Sequence, residues 1–555
     1  MLDLRADLAE RISAAIQSAQ EGGDLPRFDP PEIIVERPRE AGHGDFATPV
    51  CLGLARLARM APLQIAEIIV RQMERPDYLG EVQIAPPGFI NFTLSELWLA
   101  RQVDAILEAG ATYANSDMGQ GLKVQVEFVS ANPTGPLHVG SGRNAAIGDA
   151  LANILEAAGY EVQREYYVND AGTQIDLFAA TLYARYAQAL GVDEPLPEGG
   201  YQGAYMREMG ERLAAEHGSK FLEMDRQEAL THFRDLGLEM MLERIREDLE
   251  VMGVRYDRWF SERTLYKDGY FDRAMDLLRR GGYLEERDGA VWFKARDLGA
   301  DKDEVVVRSS GLPGYFASDI AYHYEKFLVR GFDRVIDVWG ADHQGQVPRL
   351  KAAVQAMGVD PERLILILYQ LVTLKRGGEV LRLSKRTGDM ITLREVLDEV
   401  GPDATRFFLL ARAADSQMDF DLQLAVEQSN ENPVYYVQYA HARIASILKY
   451  AGDIDWSDGD VSLLTHPQEL ALIRQMILLP EIVRLAAEKL EPHHLPHYAQ
   501  DLASTFHSFY RDCRVVSSDP ADAAITKARL KLVQAAKITL ARTLNLMGMT
   551  APESM

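Results

Sequence analysis

One stretch in the first third of the chain constrains the fold most, because it predicts a strand, a tight turn and a helix in direct succession. Alternating apolar residues over 123–129 predict the strand. The prolines and glycines of 130–141, which reads SANPTGPLHVGS, break the chain into a turn. Apolar residues at three- and four-residue spacing then predict a helix from at or just after Gly140 to Ala158, with Gly159 as its stop.

The start of this helix predicts a binding site for an anion. Unpaired backbone N–H groups and the positive end of the helix dipole would face the ligand, most naturally a triphosphate, and His138 lies at the mouth of the site. A second strand, Glu161–Val168, follows at once, in the βαβ order of a doubly wound parallel sheet. Ligands of such sheets bind at the carboxyl ends of strands, where the residues 169–172 (NDAG) stand. The sequence therefore predicts an α/β, Rossmann-like fold.

A second half of the same sheet is predicted after a helical block. Residues 206–252 are strongly helical with mixed charge, and we interpret them as part of an insertion at about 190–260 between the two halves. The second half restarts near Val305. It includes a buried strand, a crossover helix and a further strand, at 333–339, 346–357 and 364–374. The first of these strands ends in the polar string 340–343 (GADH), again at the ligand-binding edge.

The chain on either side of the sheet predicts two smaller domains. Two strand-like pieces, 33–37 and 88–94, flank a helical segment at 49–73 and indicate a small α+β domain. Past Asp403 the pattern is almost wholly helical, and its last helix is predicted at about Ala523–Leu546. The predicted domains are an N-terminal α+β domain, a Rossmann-like domain and an all-α C-terminal domain, at 1–110, 118–400 and 401–555.

The turn after the first strand resembles the signature of a known enzyme class. The tetrapeptide 138–141 (HVGS) is similar to the HIGH motif of class I aminoacyl-tRNA synthetases, and the longer string SANPTGPLH resembles that of arginyl-tRNA synthetases. A second string, 382–389 (RLSKRTGD), resembles the KMSKS loop of the same class and retains Lys385. Three departures are Ser141, where the family has a second histidine, Arg382, which replaces the first lysine of the loop, and Leu383, which replaces its methionine.

The resemblance covers nearly the whole chain and implies an arginine–tRNA ligase. In that reaction the arginine carboxylate attacks the α-phosphorus of ATP, and a terminal ribose hydroxyl of the tRNA then attacks the adenylate. Positioning and charge stabilisation carry the rate. The implied catalytic residues are His138, Ser384, Lys385 and Arg386. The implied ATP-binding residues are His138, Gly140, Ser141, Trp339, Gly340, Asp342, His343 and Lys385. ATP with Mg²⁺ is the implied substrate, without zinc or an organic cofactor.

The choice of amino acid can be tested against the residue types. A guanidinium requires planar acceptors and a negative wall. Glu127 stands at the end of the first strand, and Tyr315 and Asp319 lie four residues apart after a Gly-Pro turn. The resemblance implies that the arginine-binding residues are Glu127, Ser130, Asn132, Tyr315, Asp319 and His343. A carboxylate on the surface of a strand remains the alternative for Glu127.

Arginine tRNA is the partner that the resemblance implies. The net charge of −24 argues against non-specific coating of nucleic acid, but positive charge need only be local, and residues 523–552 contain Lys and Arg with no acidic residue. Residues 432–443 resemble the opening of the anticodon-binding domain of arginyl and cysteinyl enzymes, and the N-terminal domain resembles the one that reads the tRNA elbow. The implied tRNA-binding residues are Phe46, Phe89, Tyr439, Arg443, Lys527 and Lys531. Core aromatic residues and a solvated basic helix face remain the alternatives.

Cysteine content and length weigh against other functions. Cys51 and Cys513 alone cannot supply a disulfide framework or the thiolate zinc pocket of a cysteinyl synthetase. The chain is too short for the editing insertion of leucyl, isoleucyl and valyl enzymes. The retained His138 and Lys385 argue against a non-catalytic tRNA-binding paralogue. The long helical tail argues against a small-molecule nucleotidyltransferase. We interpret the remaining candidate metal ligands as ordinary helix-end residues: His493, His494 and His497.

The sequence gives no indication of membrane association. The longest apolar run, at 364–374, is too short to span a bilayer. We therefore expect a cytoplasmic protein, and the family implies a monomer.

Overall fold

The structure is a computed structural model that describes residues 3–38, 40–382 and 390–555. The first part of the chain forms an antiparallel sheet with helices packed against it. Its helices are α1 (Leu4–Glu21), α2 (Val50–Ala58), α3 (Pro62–Gln72) and α4 (Glu96–Ala109). Its strands, in the spatial order β1-β3-β2, are β1 (Phe46–Thr48), β2 (Leu79–Ala85) and β3 (Phe89–Leu94).

One of the two strands predicted in this part is confirmed and the other is wrong. The strand predicted at 88–94 is β3, and helices α2 and α3 occupy the predicted helical segment. Residues 33–37 form no strand, because only Glu36 pairs, through a single bridge to Ala47. Prolines on both sides of this segment lack the N–H that a ladder requires, so the pairing does not extend.

The central part begins with the predicted strand, turn and helix. In chain order its first elements are β4 (Lys123–Glu127), α5 (Val139–Ala157), β5 (Glu161–Val168), α6 (Thr173–Ala189), α7 (Ala204–His217), α8 (Arg226–Val251) and β6 (Arg258–Ser261). Strand β5 has the predicted bounds, and α5 begins one residue before the predicted start. The helical block at 206–252 is confirmed in α7 and α8. Strand β6 was not predicted.

The second half of the sheet follows a small antiparallel sheet. The elements are α9 (Arg263–Lys267), α10 (Tyr270–Arg280), β7 (Leu284–Arg287), β8 (Ala290–Phe293), β9 (Glu304–Val307), α11 (Tyr315–Tyr324), β10 (Arg334–Gly340), α12 (Val347–Ala356), β11 (Leu364–Tyr369), β12 (Val372–Arg376) and β13 (Glu379–Val380). A π-helical turn, Glu325–Val329, extends α11. The single strand predicted at 364–374 is wrong, because residues 370 and 371 separate β11, in the central sheet, from β12, which pairs in a different sheet. The carbonyl of Gln370 accepts a hydrogen bond from Arg143 at 2.7 Å.

All neighbouring strands of the central sheet are parallel, in the order β11-β10-β4-β5-β6. The strand order reverses between β4 and β10, so this pair marks the switch point at which doubly wound sheets bind ligands. The register places Asp337 of β10 opposite Glu127 of β4. The predicted doubly wound α/β fold is confirmed.

Helices dominate the last part of the chain. They are α13 (Leu393–Val400), α14 (Pro402–Leu410), α15 (Leu422–Val426), α16 (Pro433–Ala451), α17 (Pro467–Met476), α18 (Leu479–Lys489), α19 (His494–Asp512) and α20 (Ala523–Leu546). Helix α20 has the predicted bounds. One strand, β14 (Met418–Asp421), interrupts the almost wholly helical pattern that was predicted and pairs in parallel with β12. Short 3₁₀ turns lie at Ala41–His43, Gly110–Thr112, Lys220–Leu222, Ala295–Leu298, Ala341–Gln346, Pro361–Arg363, Val461–Leu463 and Pro520–Asp522.

A continuous core joins the three parts of the chain. Helix α5 is buried on nearly every side, since β4, β5 and β10 lie on one side of it and α14 and α18 on the other. Buried Arg406 of α14 donates to the carbonyls of Met252 and Met547 at 3.1 and 2.7 Å and pairs with Asp149 of α5. In the part of the chain that the structure describes, no helix is both long and apolar enough to cross a membrane.

Candidate active site

The signature turn places His138 at the N-terminus of α5. His138 is the N-cap residue, and its Nδ1 accepts a hydrogen bond from the Ser141 N–H at 3.3 Å. A Cβ at Gly140 would lie 2.9 Å from Cε1 of His138, so glycine allows the ring this position. Part of the ring reaches solvent, and the burial of the rest lowers the pKa of His138. Because Nδ1 accepts, the neutral ring carries its proton on Nε2 and can donate to a phosphate oxygen.

The backbone that follows the KMSKS-like loop is hydrogen-bonded to the backbone at His138. Thr392 forms an antiparallel bridge with His138, and the Leu393 N–H donates to the carbonyl of Leu137 at 2.7 Å. Three of the predicted catalytic residues lie outside the described residues: Ser384, Lys385 and Arg386. The backbone pairing therefore places the described end of this segment beside the N-terminus of α5.

The predicted ATP-binding residues of the second half gather at the end of β10. A Cβ at Gly340 would lie 2.4 Å from Oδ1 of Asp342, so glycine permits the tight turn after the strand. The Trp339 ring contacts His343 edge-to-face with ring centroids 5.9 Å apart. Nε2 of His343 lies 3.6 Å from Oδ2 of Asp342 at the exposed rim of the site. These residues share the edge of the sheet at which β4 also ends.

The backbone after β4 adopts a conformation that is rare outside glycine. Val129 and Ser130 have φ values of +66° and +43°, and such strain concentrates at functional sites. Asn144 of α5 holds this backbone, because its Oδ1 accepts from the Val129 N–H at 2.8 Å while its Nδ2 donates to the Val338 carbonyl at 2.8 Å. Asn144 thus joins β4 to β10 at the switch point. Asn144 was not predicted as a site residue. The sequence feature that could have identified it is a polar side chain within the apolar pattern of α5.

Glu127 is buried at the end of β4, so the surface alternative for this residue does not apply. Its Oε2 accepts from Nζ of Lys326 at 2.5 Å, and its Oε1 accepts from Oγ of Ser130 at 2.9 Å. Ser130 is fixed in turn by the Tyr167 N–H, which donates to its Oγ at 3.1 Å. Burial raises the pKa of Glu127, against the opposing positive charge of Lys326, and the negative charge of Asp337 adds to the rise.

Asp319 and Glu262 add two carboxylates to the same region. Burial raises the pKa of Asp319 to about 7, with further contributions from the negative charges of Glu127, Glu262 and Asp337. Glu262 follows β6 directly and accepts a hydrogen bond from Oγ of Ser318 at 2.7 Å, and burial raises its pKa as well. Carboxylates that raise one another's pKa favour a cationic ligand, which removes their repulsion. Glu262 was not predicted as a site residue, because the short strand β6 that precedes it was not predicted.

Two predicted arginine-binding residues are exposed and contact other side chains. Tyr315, the first residue of α11, is 79% exposed, and the guanidinium of Arg308 lies 5.0 Å from its ring centroid. Asn132 is exposed and donates to Oε1 of Gln174 at 3.1 Å. The contacts of Glu127 with Ser130 and its electrostatic coupling to Asp319 place these three residues together.

An open groove of about 890 Å³ between α16 and α19 combines aromatic rings with arginines. The Arg443 guanidinium lies 4.6 Å from the ring centroid of Tyr439 and 5.4 Å from that of Tyr510. Tyr435 stacks on Tyr439 with ring centroids 5.7 Å apart. Aromatic faces beside cations are a surface on which unstacked bases bind.

The other predicted tRNA contacts have different surroundings. Phe46 is fully buried, and Phe89 is partly buried. Nζ of Lys527 lies 2.7 Å from Oδ1 of Asp458, and Nζ of Lys531 lies 2.9 Å from a carboxylate of α4. Acidic residues from other segments therefore pair with part of the basic face of α20.

The histidines near the start of α19 lie beside an acidic residue. The ligand atoms of Glu491, His493 and His494 lie within 4.8 Å of one another, a spacing that could hold a metal ion. Nε2 of His494 is 2.9 Å from Oε2 of Glu491, and the rings of His493 and His494 stack with centroids 4.4 Å apart. His497 contacts His493 edge-on, with centroids 6.2 Å apart. This group belongs to the helical part of the chain and not to the switch point.

Comparison with known proteins decides the family. Three family models match the chain: the N-terminal domain of arginyl-tRNA synthetases over 6–94, the catalytic domain of class I (R) tRNA synthetases over 102–444, and the DALR anticodon-binding domain over 437–555. The chain is 53% identical to the arginine–tRNA ligase of Dehalococcoides mccartyi (strain CBDB1) over 557 residues, which cover 100% of each chain. The chain belongs to the arginine–tRNA ligase family. The family's member from Moorella thermoacetica is 51% identical and covers 99% of this chain and 98% of its own.

Solved structures agree with membership of the arginine–tRNA ligase family. The arginyl-tRNA synthetase of Thermus thermophilus superposes with a TM-score of 0.77 at 26% identity and covers 100% of both chains. A methionyl-tRNA synthetase of Mycobacterium tuberculosis, at 14% identity and a TM-score of 0.51, covers 78% of this chain and 92% of its own and shares the fold alone. The resemblance that the SANPTGPLH string and the KMSKS-like loop indicated is confirmed.

Proposed function

We propose that this member of the arginine–tRNA ligase family activates L-arginine with ATP and transfers it to the 3′-terminal ribose of arginine tRNA. The observation that supports this most directly is a group of three carboxylates, the buried Glu127 and the partly buried Asp319 and Glu262, near the N-terminus of a helix that begins at a glycine-rich turn. The carboxylates suit the cationic groups of arginine, and the helix N-terminus suits a triphosphate.

In the first step, an oxygen of the arginine carboxylate attacks the α-phosphorus of ATP, and pyrophosphate leaves. The N–H groups of α5 and the Nε2–H of His138 hold the phosphates, and the residues around Gly340 hold the adenosine side. Lys385 and Arg386 neutralise the charge that builds on the leaving pyrophosphate. Mg²⁺ enters with ATP as part of the substrate. In the second step, a ribose hydroxyl of the tRNA attacks the carbonyl carbon of the adenylate, and AMP leaves.

The same proposal assigns a separate role to each of the three domains. Residues 1–110 contact the tRNA elbow, residues 118–400 with the insertion at about 190–260 carry the chemistry, and residues 401–555 bind the anticodon. The groove at Tyr439 and Arg443 supports the last assignment, since it offers rings and cations together. Contacts of Phe89, Lys527 and Lys531 with tRNA, a monomeric state and a cytoplasmic location stay predictions, and the full burial of Phe46 favours a packing role for its ring.

The experiment that tests this function is ATP–pyrophosphate exchange with each of several amino acids, with and without bulk tRNA. We expect exchange with arginine alone, and only when tRNA is present. Exchange with another amino acid would leave the fold in place and overturn the carboxylate pocket. No exchange with any amino acid would favour a non-catalytic tRNA-binding protein.

A further inference from the structure

A lysine that the proposed mechanism does not use lies directly behind the arginine pocket. The side chain of Lys326 is 0% exposed. Its Nζ donates to Oε2 of Glu127 at 2.5 Å and to Oδ1 of Asp337 at 2.8 Å. These two carboxylates lie opposite each other on the neighbouring strands β4 and β10. Lys326 therefore joins the two halves of the sheet at the switch point.

The backbone at Lys326 forms a π-helical turn, which affects the position of its side chain. Lys326 lies in the π-helical turn Glu325–Val329, where the Arg330 N–H donates to the carbonyl five residues earlier at 2.9 Å. Such turns insert one extra residue into a helix and occur frequently at functional sites. The ammonium also lies 4.1 Å from the ring centroid of Tyr322 on the preceding turn of the helix. The irregular turn thus holds Lys326 between the two strands.

The two carboxylates that bind Lys326, those of Asp337 and Glu127, differ in what else stabilises their charged forms. Burial opposes ionisation of Asp337, yet Lys326 and His323, whose Nε2 lies 3.0 Å from Oδ2 of Asp337, together lower the pKa of Asp337 below its usual range. His323 acts on Glu127 only through its charge, without a hydrogen bond, and burial raises the pKa of Glu127. Glu127 is therefore the carboxylate whose ionisation depends most on the Lys326 ammonium.

We propose that Lys326 is a positioning residue for arginine recognition: its buried ammonium holds the Glu127 carboxylate ionised and fixed, so that Glu127 accepts hydrogen bonds from the cationic groups of arginine. Oγ of Ser130 holds the other oxygen of the same carboxylate. The inference rests on the proposed function, because it assumes that Glu127 contacts arginine.

Other titratable groups face this carboxylate from each neighbouring element. They are Asp337 of β10, His323, Asp319 and Tyr322 of α11, Tyr167 of β5 and Tyr256 just before β6, and Glu262 after β6 interacts with Asp319 and Tyr167. Burial raises the pKa of Tyr167 well above its usual value, so its phenol stays neutral. Asp319 and Glu262 carry negative charge when ionised, which opposes ionisation of Glu127. Loss of the Lys326 ammonium would therefore leave Glu127 among like charges.

The test measures the KM for arginine and the KM for ATP in tRNA-dependent pyrophosphate exchange over a range of pH. We expect Lys326→Met to raise the KM for arginine by about tenfold near neutral pH, the effect of one pKa unit on the ionised fraction. This increase should shrink as the pH rises, because Glu127 then ionises without the lysine, and the KM for ATP should stay within about twofold. Lys351→Met is the matched control, since Lys351 pairs with Glu362 at 3.0 Å on the far surface of α12 and should change neither KM.

A second variant covers the case in which Lys326→Met does not fold. Lys326→Met/Asp337→Asn removes one cation and one anion together, so no unbalanced carboxylate pair remains and the protein should fold. Its KM for arginine should stay raised by about tenfold, because the ammonium that holds Glu127 is still absent, while its KM for ATP stays within about twofold of the parent value. Equal increases of both KM values at every pH in either variant would overturn the inference.

Glu127→Gln separates this inference from the proposed function. An unchanged KM for arginine in Glu127→Gln would overturn the assignment of Glu127 to the arginine pocket, and the inference with it. A raised KM in Glu127→Gln together with an unchanged KM in Lys326→Met would overturn the role of Lys326 alone.

Discussion

At the scale of single residues, the charge of Asp319 is set by its surroundings. Burial and the neighbouring carboxylates raise its pKa to about 7, so it is largely protonated below that pH and ionised above it. In the proposed arginine pocket, the cationic arginine binds the ionised form of Asp319, so the KM for arginine should fall as the pH rises through about 7. Asp319→Asn should raise this KM by at least about tenfold and remove that part of the pH dependence. Pyrophosphate exchange across the pH range measures both effects, and an unchanged pH profile in the variant would contradict the assignment.

The same pKa has a consequence for stability. The pKa of Asp319 in the folded protein, about 7, lies above the value of 3.8 for an unperturbed aspartate, so the folded protein binds more protons between these two values. Stability therefore falls as the pH rises through this window. Asp319→Asn should raise Tm most above pH 7, and the gain should shrink towards pH 4. Calorimetry near pH 4 and above pH 7 tests this. Asp276, an exposed residue that pairs with Arg279, provides the control, because Asp276→Asn should show no such trend.

At the scale of elements, α5 fits against β4 only because it contains a glycine. A Cβ at Gly148 would lie 2.2 Å from Cγ of Phe128. Alanine ordinarily stabilises a helix interior by about 1 kcal/mol relative to glycine, but overpacking of a core costs about 1–3 kcal/mol. Gly148→Ala should therefore lower the urea midpoint of unfolding. Gly53→Ala in α2, where the added Cβ meets nothing within 4 Å, is the matched control and should raise the midpoint; equal shifts in the two variants would contradict this packing.

Elements with a strong local signal were predicted well, and elements that depend on a partner were not. The bounds of β5 and α20 follow from periodicity and from the glycine or polar residues at their ends. The apolar run at 364–374 looks continuous, yet it divides because its first half pairs with β10 and its second half pairs in another sheet with β14. Strands β6 and β14 are short, and each is extended because a neighbouring strand pairs with it. Such pairing is not visible in a local pattern.

At the scale of the whole molecule, Arg406 joins segments that are far apart in sequence. It is fully buried, pairs with Asp149 and donates to the carbonyls of Met252 and Met547. Arg406→Met would leave the aspartate buried beside a more distant partner, Arg164, at 3.8 Å, and should cost about 3–5 kcal/mol of unfolding free energy.

Urea unfolding followed by circular dichroism measures this loss. The exposed Arg212, paired with Glu216 at 2.9 Å, provides the control, because Arg212→Met should change stability by less than about 1 kcal/mol. Similar losses in both variants would show that Arg406 does not hold the parts together.

Adenylate formation and tRNA binding should respond to different variants. Lys385→Ala should strongly reduce adenylate formation with little effect on tRNA affinity, because its charge acts on the leaving pyrophosphate. Arg443→Ala should weaken tRNA binding, by about 1–3 kcal/mol if a base stacks at Tyr439, and leave the KM for ATP unchanged. Pyrophosphate exchange and filter binding of tRNA separate the two. Equal loss of tRNA binding in both variants would contradict the division of roles.

The sequence by itself determined the strand, turn and helix around His138, the doubly wound order and the family, because these depend on local periodicity, turn residues and contiguous motifs. It also predicted that Glu127 and Asp319 share one site. Only the tertiary structure showed that Glu262, Asn144 and Lys326 lie at the same edge of the sheet, and that Tyr315 is largely exposed. The physical reason is that neighbours in a parallel sheet come from distant segments, so the contacts between their side chains depend on strand order and register.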